Sequence, residues 1–273
     1  MPLQRLGGRS IHVVERGAGR PVLFLHGHPL DHRDLLVGVD PTFEARSGYR
    51  RFHVDLPGFG LSPWDAAIHG SDGMLDAVLD IVDELAAGEP VLLVGASWGA
   101  YLARGVVARR RTSVAGIALL CPVIVAPRTE RDLDPHRLLS EEPGILDGEP
   151  MDKATAFLEG AVVAGRPQWA HFQTAIASAV AAADSEAVSR TEAAYAFAED
   201  VDTIGAPYDG PALIVAGRQD SIVGYRDALR LVDRYTRSTF VVLDVAGHSL
   251  MVERPAVVAA LIADWLDRVE AVR

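Results

Sequence analysis

Cysteine and lysine are close to absent from this chain of 273 residues, where Cys121 and Lys153 are the sole members of their types. A single cysteine excludes an intrachain disulfide and a paired-thiol redox centre. With one lysine, nearly all positive charge is arginine, a compositional habit rather than a functional signal. Long apolar runs are lacking too: the longest, residues 114–127, is interrupted by Pro122 and falls short of a membrane span. Residues 1–8 carry no apolar signal-peptide core, so a cytoplasmic location is expected. Positive charge is outweighed, with 37 acidic residues against 26 Lys and Arg. The net charge of −11 argues against a nucleic-acid partner and against an anionic membrane surface. There is no internal repeat and no low-complexity linker. The remaining composition, 49% hydrophobic and 23% charged, suits one large α/β domain or a core with an insertion.

What the sequence does contain is an alternation of apolar strands and helical stripes. Residues 10–16 alternate and end at Gly17 and Gly19, a strand followed by a turn. Further strand-length runs occupy residues 21–25, 51–55, 90–94, 114–121, 211–216 and 239–243. Most are continuously apolar, as parallel strands covered on both faces must be. Helical segments separate them. The clearest follows Ser71, a plausible N-cap, with a stripe of Met74, Leu75, Val78, Leu79, Val82 and Leu85. Others are expected up to about Arg46 and over residues 100–110, 225–235 and 255–269, the last with Pro255 in its first turn. Such alternation implies a mainly parallel sheet with helices on both faces. It stops over residues 122–207, which show helical runs at 151–164, 168–183 and 185–197 and no strand. The expected organisation is a core of residues 1–121 and 208–273, with residues 122–207 inserted as a helical cap.

The chemistry gathers at strand ends, where open α/β sheets hold their ligands. Gly95-Ala96-Ser97-Trp98-Gly99 lies between an apolar strand and a helix. A serine flanked by glycines two positions away on each side is the nucleophile-elbow pattern. Asp220 follows the strand ending at residue 216, and His248 follows the strand ending at residue 243. Serine is a poor nucleophile until a histidine takes its proton and a carboxylate orients that histidine. Ser97 is therefore assigned as nucleophile, His248 as general base and acid, and Asp220 as the orienting carboxylate. An oxyanion needs two backbone donors. The N–H groups of Trp98 and His28 are expected to supply them, with His28, Leu30, Trp98, Trp169, His171 and Phe172 as candidates to face the substrate. A zinc reading of His26, His28, Asp31 and His32 competes, but the run has one residue too many between His28 and Asp31. Asp55 and His53 read as structural residues at a strand end, and Cys121 as a small apolar filler.

With these residues in view the chain resembles the α/β-hydrolase superfamily across nearly its whole length. The matching pieces are His26-Gly27-His28-Pro29, the Asp55–Ser62 turn, Gly95–Gly99, Gly217–Asp220, and Gly247-His248 followed by Glu253-Arg254-Pro255. The resemblance implies an eight-stranded, mostly parallel sheet with a helical cap between its sixth and seventh strands. It also implies no cofactor and no metal, and a small-molecule substrate. Ser97 stands where epoxide hydrolases and haloalkane dehalogenases place aspartate. The Ser97-Trp98-Gly99 run is similar to that of proline iminopeptidases, whose oxyanion loop the His26–Leu30 segment does not match. The leading expectation is a cofactor-independent serine hydrolase cleaving an ester or related acyl bond through an acyl-enzyme. Carbon–carbon bond hydrolase, lactonase, aminopeptidase and acyltransferase activities stand as alternatives on the same fold. A ligand-binding protein that has lost catalysis stands as a third class, opposed by the intact set of Ser97, Asp220 and His248.

Overall fold

The computed structural model describes residues 3–271. Its strands are β1 (Gln4–Leu6), β2 (Arg9–Ile11), β3 (Val13–Gly17), β4 (Arg20–Leu25), β5 (Tyr49–Val54), β6 (Val91–Ala96), β7 (Val114–Leu120), β8 (Ser140–Glu141), β9 (Val163–Ala164), β10 (Ala212–Gly217) and β11 (Ser238–Leu243). Its helices are α1 (Arg33–Gly38), α2 (Asp40–Glu44), α3 (Gly70–Ala86), α4 (Trp98–Arg110), α5 (Met151–Leu158), α6 (Arg166–His171), α7 (Ser178–Ala182), α8 (Ser185–Ala193), α9 (Leu231–Arg234), α10 (Leu250–Glu253) and α11 (Pro255–Glu270). A π-helical stretch, Phe172–Ala177, joins α6 to α7.

Seven strands form the central sheet in the order β11-β10-β7-β6-β4-β5-β3. All neighbours are parallel except β3, which runs antiparallel to β5. Every residue of β6 and β10 is buried, which is why these strands read as unbroken apolar runs. Helices α3 and α4 pack against the centre of the sheet, and α11 packs against β7 and β10. The stripe of α3 is buried at Met74, Leu75, Val78, Leu79 and Val82, and that of α11 at Val258, Ile262, Trp265, Leu266 and Val269.

The expected eighth strand does not join this sheet. The run expected over residues 10–16 is interrupted at His12, whose N–H donates to Ser62 Oγ at 2.8 Å instead of to a strand neighbour. Residues before the break form the separate antiparallel hairpin β1-β2. Ser71 also departs from expectation. It lies inside α3, and His69 occupies the N-cap position. Its hydroxyl serves tertiary contacts, donating to the Tyr195 carbonyl at 2.7 Å and accepting the Trp98 Nε1–H at 2.9 Å. The helix expected over residues 225–235 shrinks to a 3₁₀ turn at Asp227–Arg230 followed by α9.

Residues 122–207 lie between β7 and β10 in the chain. Contrary to the strand-free reading, they contain a parallel pair, β8 with β9. Two residues per strand are too few to leave an alternation in the sequence. This stretch also gathers a small apolar cluster of its own, built from Ile145, Phe157, Ala161, Ala164 and Trp169.

Parallel register places the functional loops. Leu25 pairs with Gly95, Ala96 with Leu120, and Gly217 with Leu243. The chain therefore leaves β4, β6, β7, β10 and β11 along one edge of the sheet, and their loops meet there.

Candidate active site

Ser97 sits between β6 and α4 with φ +53° and ψ −115°, a conformation that costs a non-glycine residue about 1–3 kcal/mol. Backbone bonds hold it there. Its N–H donates to Leu120 O at 2.9 Å, and its carbonyl accepts from Tyr101 N–H and Val123 N–H, each at 3.2 Å. The flanking glycines are required by close approach. A Cβ on Gly99 would stand 2.0 Å from Leu25 O, and one on Gly95 would stand 2.6 Å from Gly99 O. Ser97 is thus presented above the sheet at the start of α4, whose first N–H groups have no intrahelical acceptor.

Asp220 and His248 meet in the structure. Asp220 is buried; its Oδ1 accepts Ile222 N–H at 2.8 Å and Val223 N–H at 3.0 Å, and its Oδ2 accepts His248 Nδ1–H at 2.8 Å. Burial would raise the carboxyl pKa, but the charge and hydrogen bond of His248 outweigh it and the pKa is lowered. On His248 burial opposes the charged ring, and the Asp220 charge and hydrogen bond prevail, raising its pKa above the ordinary imidazole value. Ser97 and His248 line the same cavity. The hydrogen bonds among the described residues join His248 to Asp220 and not to Ser97.

The loop after β4 is anchored by His26 rather than by a metal. His26 Nδ1–H donates to Gly27 O at 2.9 Å, and its Nε2 accepts Leu56 N–H at 3.0 Å. Burial lowers its pKa, so it stays neutral. Gly27 brings this loop against Ser97, since a Cβ there would lie 3.2 Å from Ser97 Cβ. His28 packs edge-on to Phe59 and Trp98, and burial, with His26 nearby, pushes its pKa down to about 4.

The cavity has a volume of about 250 Å³. Of the residues singled out in the sequence, His28, Leu30, His171 and Phe172 line it, together with the apolar Ile176, Val180 and Met251. Trp98 and Trp169 do not line it. The Trp98 side chain is fully buried, bonded through Nε1–H to Ser71 and packed against Phe59 and Tyr195. Trp169 belongs to the small cluster, stacked on Phe172 at 5.5 Å.

Two polar elements of this site escape sequence reading. Glu253 sends Oε2 to Gly247 N–H at 2.6 Å and Oε1 to Val162 N–H at 2.7 Å, fixing the histidine loop and the 122–207 stretch together. Its burial raises its pKa. Asp34 Oδ1 accepts His171 Nε2–H at 3.0 Å, and both residues line the cavity. The Glu253-Arg254-Pro255 run offered a signal for the first, and of the second pair the sequence marked His171 but not its partner Asp34.

The four residues of the zinc reading do not converge. Both His26 nitrogens serve the backbone, Asp31 pairs with Arg33, and His32 Nδ1–H donates to Asp55 at 2.7 Å. Among the described residues, metal-donor atoms come within 4.8 Å of one another at His12, His32 and Asp55, and at Cys121, Asp220 and His248. In the first group both imidazoles already donate to Asp55, and its pKa is lowered to about 2 as His32 overrides burial. In the second the imidazole–carboxylate contact is the one described above. Cys121 is buried at φ +42°, and burial followed by the nearby Asp220 charge raises its thiol pKa.

The family model described as the alpha/beta hydrolase family matches residues 22–261. The AB hydrolase superfamily protein YisY of Bacillus subtilis (strain 168) is 27% identical over 268 residues, covering 94% of this chain and 95% of that protein. An alpha/beta superfamily hydrolase from Oenococcus oeni PSU-1 superposes with a TM-score of 0.90 at 28% identity, over 99% of this chain and all of that one. A shorter likeness, 36% identity over 95 residues, joins 34% of this chain to 28% of an epoxide hydrolase from Caballeronia sordidicola.

Proposed function

The chain belongs to the alpha/beta hydrolase family, and from that premise we propose that it is a serine hydrolase cleaving an ester or related acyl bond through an acyl-enzyme. As a hydrolase of this family it acts on small molecules. The observation behind the finer reading is that His248, paired with the buried Asp220, and the strained Ser97 open onto one cavity. The partial likeness to an epoxide hydrolase covers a third of the chain, and a serine on the elbow favours acyl chemistry over it.

In this reading Ser97 Oγ attacks the acyl carbon while its proton passes to His248 Nε2. Asp220 holds the Nδ1–H and stabilises the imidazolium. The oxyanion accepts the N–H groups of Trp98 and His28. Collapse expels the leaving group, which takes the proton from His248. A water molecule then gives a proton to His248 and attacks the acyl carbon, and Ser97 recovers its proton as the acid departs. Residues 122–207 serve as the cap, contributing Phe157, His171, Phe172 and Ile176 to the cavity wall. The cavity volume of about 250 Å³ favours a short acyl group.

The test is turnover of p-nitrophenyl esters of graded acyl length, with covalent labelling by a fluorophosphonate. Ser97→Ala is expected to abolish both. Undiminished turnover by that variant overturns the reading.

A further inference from the structure

A second cavity, of about 510 Å³, touches the one that holds Ser97 and His248 only at His28, which lines both. Two arginines, Arg128 and Arg131, stand in its wall beside Tyr195. Arg131 is half-buried, and its Nε, Nη1 and Nη2 donate to the carbonyls of Val125, Ile222 and Ala126, each at 2.8 Å. Arg128 is exposed and donates to another carbonyl, Ser221 O, at 3.4 Å. Carbonyls do not cancel charge, and among the described residues neither arginine pairs with a carboxylate. Asp132 and Asp134, close in sequence, are taken by Arg226.

The two charges bear on each other. Burial lowers the pKa of Arg131, and the Arg128 charge pushes the same way. Burial raises the pKa of Tyr195 and the Arg131 charge opposes it, so the guanidinium stands by a hydroxyl of the cavity wall. A half-buried cation without a counter-ion is costly, and a shared anion relieves both the burial and the repulsion. In a chain of net charge −11, such a wall is an exception.

A guanidinium matches carboxylate and phosphate alike. Two features choose between them. Glu192 lines the same cavity and opposes a second negative charge. Ala126, Pro127 and Ala196 offer apolar surface to a carbon skeleton.

We infer that this second cavity binds a small organic carboxylate through Arg128 and Arg131. Arg131, clamped by three carbonyls, keeps one further N–H on each Nη, and Arg128 adds the second charge.

The experiment titrates the native protein calorimetrically with phenylacetate, with phenylacetamide, which keeps the shape without the charge, and with inorganic phosphate. Phenylacetate is expected to bind at least about tenfold tighter than the amide, and more weakly as salt rises. Arg128→Glu should weaken it about tenfold, and Glu192→Gln should tighten it about threefold. Both residues are exposed and lie outside the wall that holds Ser97, so folding is not at stake. A phenylacetate seated beside Ser97 would ignore both substitutions, and that result overturns the inference. Equal binding of acid and amide, or tighter binding of phosphate, overturns it as well. Inhibition of p-nitrophenyl acetate turnover that Arg128→Glu relieves supports the site and identifies the source of the carboxylate. A competitive pattern assigns it to a substrate reaching past His28, and a change in kcat alone assigns it to a separate effector. The calorimetry needs no turnover, so failure of the serine mechanism leaves it readable.

Discussion

Glu253 Oε2 accepts the N–H of Gly247 at 2.6 Å, one residue before His248. Its other oxygen holds Val162, so one buried carboxylate ties the loop that carries His248 to residues 122–207. Glu253→Gln turns an amide NH₂ toward one of these N–H donors. Loss of about 1–3 kcal/mol is expected, with kcat falling as His248 loses its anchor. Thermal unfolding and ester kinetics on the same preparation check both effects.

The raised pKa of His248 sets the direction of the pH profile. A base must be neutral to act, so kcat/KM should rise with pH through a value above the ordinary 6.5. Asp220→Asn removes the support that overcomes burial. The limb should then move to lower pH while kcat drops roughly 10⁴-fold, the scale found where a triad loses its carboxylate. A pH–rate series on both proteins measures the shift.

Asp55 makes stability sensitive to acid. Its folded pKa, about 2, lies below the ordinary 3.8. A depressed acid stabilises the fold above its unfolded value and loses that contribution as pH falls through the folded one. Between about pH 4 and pH 2 the protein should lose about 2 kcal/mol from this group alone. Asp55→Asn should flatten that part of a urea-unfolding series.

Two glycines near Ser97 separate stability from activity. In Gly99→Ala the new methyl would stand 2.0 Å from Leu25 O, so β4 or the start of α4 must give way. A loss of about 3 kcal/mol or more is expected, visible in Tm. In Gly27→Ala the methyl meets Ser97 Cβ at 3.2 Å. That variant should keep its Tm within a few degrees and lose kcat.

The sequence marked the sheet most clearly where burial is complete. Runs such as 91–94 and 212–216 are apolar at every position because both faces are covered. The positions of Ser97 and Asp220 at strand ends were legible because each follows such a run, and that of His248 because it follows β11, a half-buried edge strand ending along the same edge of the sheet. Other features depend on side chains meeting across long separations. Strand β3 begins after His12 because Ser62, 50 residues on, takes the His12 N–H. Trp98, expected at the pocket wall, turns inward because Ser71 Oγ accepts its indole N–H. Asp34 and His171 lie on short helices whose own residues give no sign of each other. In each case the deciding contact is tertiary, and local pattern has no access to it.

Lys153 lies exposed on α5, the helix whose Ala156 and Phe157 reach the cavity wall. As the sole lysine it gives the folded protein one side-chain amine. Amine-directed coupling through a side chain therefore addresses this helix alone. A dye attached there would report on the cavity wall directly, and a solid support attached there would tether the protein by the same element that lines its cavity.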